Sequence, residues 1–247
     1  MTVGLLPILE NSSGLARRIT AVFTKFRAWN GETQLNQRFL YLNIWTPAQS
    51  KQENLPVIFW IHGGAFVTGY GHSSHFSGEA FARQGVILVT INYRLNISGW
   101  LVHPELSAES ENGVSGNYGL MDQIYALNWV KRNIHAFGGD PNRITLAGQS
   151  AGAMSVNYLL HSPVVKGNFQ RAIMQSGGGL MAFPDMTYYR TVHEAELVAE
   201  TALKQELKVE NIQQARALSA KELLERWMAA GPGGSRLQCS PVIDDSF

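Results

Sequence analysis

Three features of the sequence predict an α/β fold, a mainly parallel sheet flanked by helices. Short apolar runs recur at residues 57–61 (V-I-F-W-I), 86–91 (V-I-L-V-T-I) and 144–147 (I-T-L-A), each the length of a strand buried on both faces. Leu120, Ile124, Leu127, Val130, Ile134 and Phe137 recur at spacings of three and four, the pattern of an amphipathic helix. Strands and helices thus alternate over residues 39–176, as in a parallel sheet covered on both faces. A chain of 247 residues, 45% of them hydrophobic, is long enough to bury such a core in one domain, residues 1–247.

Taken in order, residues 1–36 carry no clear pattern beyond mixed apolar spacing at 19–26 and a turn signal at Asn30-Gly31. Residues 38–45 (R-F-L-Y-L-N-I-W) read as a strand closed by Pro47. A polar loop at 49–54 leads to the strand at 57–61, and His62-Gly63-Gly64-Ala65-Phe66 follows it directly. The strand at 86–91 ends in Asn92-Tyr93-Arg94. Residues 104–117 read as a polar loop, with Glu105, Glu109 and Glu111 as a solvated acidic cluster. The helix at 120–137 ends at Gly138-Gly139, and Asp140-Pro141 turns the chain into the strand at 144–147. After Gly148-Gln149-Ser150-Ala151-Gly152 comes the helix-like M-S-V-N-Y-L-L, then a short strand at 171–175 closed by Ser176. From Tyr188 the chain reads as helical, to about 207, over 212–218 and over 220–230. The last of these opens on Ser219 and Glu222 at capping-box spacing. Gly231-Pro232-Gly233-Gly234 is a loop.

Composition narrows the class. Twenty basic and 19 acidic residues give a net charge of +1, which points to neither nucleic acid nor an anionic membrane as partner. The single cysteine, Cys239, excludes an internal disulfide framework, favours a reducing compartment and reads as an inert core thiol. No apolar run approaches the ~18 residues of a membrane helix. The first ten residues have no basic stretch ahead of their apolar patch, so a cytoplasmic location is expected and the sequons at Asn11 and Asn96 read as chance matches.

The chemistry centres on residues 143–152, R-I-T-L-A-G-Q-S-A-G. A strand, a G-x-S-x-G turn and a helix make the nucleophile elbow of α/β-hydrolases, which holds the serine hydroxyl clear at a strand end. Gly148, Ala151 and Gly152 supply the small flanking residues such a turn needs. About 90 residues earlier, His62-Gly63-Gly64-Ala65 stands at another strand end, with main-chain amides that little side-chain bulk can cover. An acyl-transfer enzyme needs such donors for the oxyanion of its tetrahedral intermediate. The Ala151 amide, one residue after the nucleophile, is the natural second contributor. A nucleotide-binding turn fails on spacing, because Ser150 stands where G-x-G-x-x-G needs its second glycine.

Several segments, in order and spacing, resemble the type B carboxylesterases, relatives of cholinesterases and bacterial p-nitrobenzyl esterases. They are L-Y-L-N-I-W-T-P (40–47), P-V-I-F-W-I-H-G-G-A-F (56–66), N-Y-R-L (92–95) and G-N-Y-G-L-M-D-Q (116–123). A-L-N-W-V (126–130), F-G-G-D-P (137–141), G-Q-S-A-G and Q-S-G (175–177) continue the match, and P-V-I-D-D (241–245) extends it. The resemblance implies an α/β-hydrolase sheet and cleavage of a small-molecule carboxylic ester through an acyl-enzyme on Ser150. It places the oxyanion hole on the amides of Gly64, Ala65 and Ala151, and it implies no cofactor and no metal. It also places Tyr70, Phe76, Trp100 and Tyr118 where the family lines an acyl or aromatic pocket, with plain loop packing as the alternative.

The departures from the family are specific. Gln37, Arg38 and Phe39 stand where it has an acidic pair and a cysteine, so that disulfide and an ion pair to Arg94 are not expected. Gln149 replaces a commoner glutamate. A serine needs an adjacent base, and after Ser150 only His161 and His193 occur. His161 ends the elbow helix, roughly 15 Å along it at 1.5 Å per residue, and His193 reads as a surface residue beside Glu194 and Glu196. The family's acid and histidine follow later strands, so the chain reads as an N-terminal half that stops after the nucleophile portion. Two readings follow: a serine ester hydrolase, or a catalytically silent hydrolase-like binding module. A sheet that stops there would leave an open edge, a template for association.

Overall fold

The computed structural model of the protein describes residues 10–12, 16–22, 40–177, 191–230, 237 and 240–244. The readings at Asn30-Gly31, Gln37 to Phe39, Tyr188, 231–234 and Cys239 lie outside the described residues. One seven-stranded sheet runs in the order β1-β2-β3-β5-β4-β6-β7. Its strands are β1 (Glu10–Ser12), β2 (Ala16–Val22), β3 (Tyr41–Thr46), β4 (Leu55–Ile61), β5 (Ile87–Ile91), β6 (Gly139–Gln149) and β7 (Arg171–Gln175). β5, β4, β6 and β7 are mutually parallel, whereas β1, β2 and β3 join antiparallel at the β5 side. Helices in the crossovers make the parallel half. They are α1 (Glu79–Ala82) between β4 and β5, α2 (Asn96–Trp100), α3 (Pro104–Glu109) and α4 (Tyr118–Asn133) before β6, and α5 (Ala151–His161) before β7.

The apolar runs divide between two unequal faces. Ile44, Val57, Phe59, Ile87, Val89, Ile144 and Leu146 are at most 1% exposed and form one core with Leu127 and Val130 of α4 and Val156 of α5. On the opposite face of β4, Ile58 and Trp60 are only half-buried. The cover there is thin: four-residue α1, and a 3₁₀ turn whose Phe76 ring lies 5.6 Å from that of Trp60. β4 is therefore buried on one face, not both as its composition suggests. Asp140-Pro141 also corrects the sequence reading. The strand already begins at Gly139, and the pairing with β4 jumps from Leu55↔Gly139 to Val57↔Ile144, so an irregularity inside β6 absorbs the expected turn.

The tail adds α6 (Val192–Ala202), α7 (Ile212–Ala217) and α8 (Ala220–Ala229). Leu203, Leu207, Ile212, Leu223 and Trp227 pack with Ile97, Leu101 and Leu106 in a second apolar cluster. This packing is why the expected loop at 104–117 opens as helix α3. The Glu109 carboxylate accepts two 2.7 Å hydrogen bonds from Arg216, and Glu105 accepts from the Ile212 amide at 3.0 Å. Two acids read as a solvated cluster thus tie α3 to α7. The full capping box lies at Thr191 and Glu194, while Ser219 accepts from the Glu222 amide.

Candidate active site

Ser150 sits between the end of β6 and the start of α5 at φ 55°, ψ −124°. A non-glycine residue at positive φ is strained and persists only where its surroundings fix it. Here the Ser150 amide donates to Gln175 O at the end of β7 (2.9 Å), and its carbonyl accepts from Met154 of α5 (3.0 Å). The first turn of α5 meets the end of β4 so closely that a Cβ on Gly152 would stand 2.1 Å from Ile61 O. The side chain of Ser150 is half-buried and makes no hydrogen bond among the described residues.

The loop after β4 abuts this turn, for a Cβ on Gly63 would lie 3.1 Å from the Cβ of Ser150. Gly64, Ala65 and Phe66 have φ of 118°, 54° and 62° in succession. At Gly64 only glycine serves: beyond its φ, a Cβ would stand 2.0 Å from Thr68 O. Both carbonyls flanking Gly64's backbone are held. Gly63 O accepts from His62 Nδ1 at 2.8 Å, and Gly64 O accepts from the amides of Val67 and Thr68 at 3.0 Å each. Among the described residues the amides of Gly64, Ala65 and Ala151 donate to no acceptor. The structure thus brings together the four residues singled out from sequence, on two touching turns. Three unpaired N–H groups, one at the positive end of α5, beside a serine hydroxyl can hold a developing negative charge on oxygen.

The other candidates fall elsewhere. His161 Nδ1 donates to Asn157 O at the far end of α5, and His193 is exposed on α6. Trp100 is core rather than pocket: it is fully buried and donates from Nε1 to Phe66 O at 3.0 Å, bracing the glycine loop from below. Tyr70 is 51% exposed, and Tyr118 lies under the Arg94 guanidinium. Arg94, without the family's acidic pair, forks onto Asp122 of α4 with two 2.8 Å bonds, and its amide adds a third at 2.9 Å. Burial pushes the Asp122 carboxyl up, and Arg94 opposes that shift. His62 is buried, and burial holds its imidazole below the usual range despite the Gly63 hydrogen bond. Among the described residues no group of three His, Cys, Asp or Glu could hold a metal.

A sequence profile of the carboxylesterase family matches residues 27–247. The chain belongs to the carboxylesterase family. It is 53% identical over 139 residues to the fumonisin B1 esterase of Sphingopyxis macrogoltabida, covering 56% of this chain and 26% of that protein. Mouse cholinesterase matches at 37% over 226 residues, 89% of this chain and 36% of its own length. The carboxylesterase EST55 of Geobacillus stearothermophilus superposes with a TM-score of 0.71 at 43% identity, over 83% of this chain and 41% of that one. The sheet is thus that of the α/β-hydrolase carboxylesterases, and the chain spans less than half the length of these relatives.

Proposed function

We propose that this chain carries the nucleophile and oxyanion hole of a serine carboxylic-ester hydrolase. The observation that carries the reading is Ser150 held at φ 55° against a loop with unpaired amides at Gly64 and Ala65, its own following amide at Ala151 unpaired as well. In the reaction Ser150 Oγ bonds to the ester carbonyl carbon while its proton passes to a general base. The carbonyl oxygen becomes an oxyanion that accepts from the three amides. The C–O bond to the alcohol then breaks, the alcohol leaves with that proton, and an acyl-enzyme remains. Water repeats the sequence and releases the acid. Losing one oxyanion donor costs about 10²–10³ in rate in such enzymes.

Changing Ser150→Ala in the protein should abolish turnover of short-chain p-nitrophenyl esters; undiminished turnover would sink the assignment. A second reading, a silent hydrolase-like binding module, is favoured by one fact: Ser150 has no histidine bonded to it among the described residues. Incubating the 247-residue chain with a fluorophosphonate separates the two. Labelling at Ser150 means a working base, and an unlabelled serine favours the silent module.

A further inference from the structure

Tyr93 follows β5, and nothing in the proposed chemistry uses it. Its side chain is 4% exposed, its hydroxyl donates to His62 O at 2.8 Å, and its ring stacks on the His62 imidazole at 4.5 Å and 19°. We propose that Tyr93 is a positioning residue that aims the Gly64 amide of the oxyanion hole by holding both the backbone and the ring of His62. The proposal rests on the reading of Ser150 and the glycine loop given above.

The mechanical link is one peptide unit. Gly63 C=O and Gly64 N–H belong to the same planar trans amide, so fixing the oxygen at one end fixes the direction of the hydrogen at the other. The oxygen is fixed by His62 Nδ1. A carbonyl only accepts, so Nδ1 carries the proton and the neutral ring has a bare Nε2, which is buried with no partner among the described residues. Nothing polar therefore anchors the far side of the imidazole. Beyond its Nδ1 bond to Gly63 O, the ring is held by packing: Tyr93 on one face, and the backbone of Gly69, where a Cβ would stand 2.5 Å from Nδ1. Burial raises the Tyr93 phenol well above its ordinary range, so it stays a hydroxyl donor at any working pH. The line of support runs from Tyr93 to His62, from its ring to Gly63 O, and so to the Gly64 amide.

Removing only the hydroxyl (Tyr93→Phe) keeps the stack and frees the His62 carbonyl; Tyr93→Leu removes both. Two measurements test this. First, ¹⁵N relaxation on the 247-residue chain should show the Gly64 amide order parameter falling from the rigid value of about 0.85 toward about 0.6 in Tyr93→Phe, with Ile61 of β4 unchanged. This needs no catalysis, so it stands or falls apart from the Ser150 assignment. Second, in the active protein kcat should fall by about 10-fold in Tyr93→Phe, short of the loss of a whole donor, and by about 100-fold in Tyr93→Leu, the lower end of that loss, with KM within twofold. The Ki of a trifluoromethyl ketone should rise by the same factors, since it binds as the tetrahedral adduct. An unchanged order parameter overturns the proposal, as does wild-type kcat in both variants. A rise in KM alone, or a loss of kcat that follows a fall in Tm, also overturns it. If Ser150→Ala hydrolyses normally while the Gly64 amide loosens as expected, the assignment of the serine fails and the anchor remains.

Discussion

Ser150 and Gly152 define the tolerance of the site at the scale of single residues. Ser150 stays at φ 55° because its amide, its carbonyl and the adjoining helix are all committed. Gly152 lets that helix start against β4. An added methyl at 2.1 Å from Ile61 O has no flexible neighbour to displace, since the opposing atom is backbone. Gly152→Ala is therefore expected to cost about 3 kcal/mol, the upper part of the overpacking range. That lowers Tm by roughly 6–12 °C in a chain of this size. A thermal melt with Tm unchanged would show that the helix can shift away from β4. The turn at Ser150 and the glycine loop beside it were legible because glycine, alanine and serine at fixed short spacing state such turns directly. Tyr93 over His62, and Asp122 under Arg94, were not. Each pair is 28 or more residues apart, and nothing local in N-Y-R or D-Q says which side chain it will meet.

Among the elements, α4, α5 and the parallel strands follow their apolar periodicity, because each has one deep face to satisfy. α3 was missed for the opposite reason. It is six residues long, its sequence is polar, and it exists through contacts with α6 and α7. The buried His103 caps it, accepting from the Glu105 amide at Nδ1, while Ser107 donates to Glu196 of α6. Burial lowers the basicity of His103, against the pull of Glu105, Glu200 and Glu196, which face it from α3 and α6. The unfolded chain then binds this proton before the folded one does. Stability from His103 is thus full above the ordinary histidine range and is lost as pH falls below about 6.5. A protonated ring also donates from both nitrogens, so the cap goes with it. The Tm should decline between about pH 7 and pH 5, and His103→Asn, whose amide oxygen can still cap, should flatten that decline. An equal slope in the variant would assign the pH effect to other groups.

At the scale of the whole molecule, alternation of strands and helices conveyed the parallel half of the sheet, while β1 and β2 were illegible because residues 1–36 lack periodicity. The sheet's other margin matters more. All five residues of β7 are exposed, Ile173 at 44% and Met174 at 50%, and one edge of the strand faces no other strand among the described residues. A strand whose N–H and C=O groups are unpaired, with two large apolar side chains beside them, is a template for another strand. Its parallel neighbour β6 already carries Ser150, so whatever pairs with β7 is fixed next to the site by a continuous ladder. The isolated 247-residue chain is therefore expected to self-associate through β7. Sedimentation velocity over a range of concentrations should show species larger than the monomer. Met174→Lys places a charge where a second strand would pack, and it should return the chain to monomer with its Tm nearly unchanged, since a half-exposed side chain contributes little to the fold. A wild-type chain that sediments as a monomer throughout, or a Met174→Lys chain that associates equally, would exclude this edge as the contact.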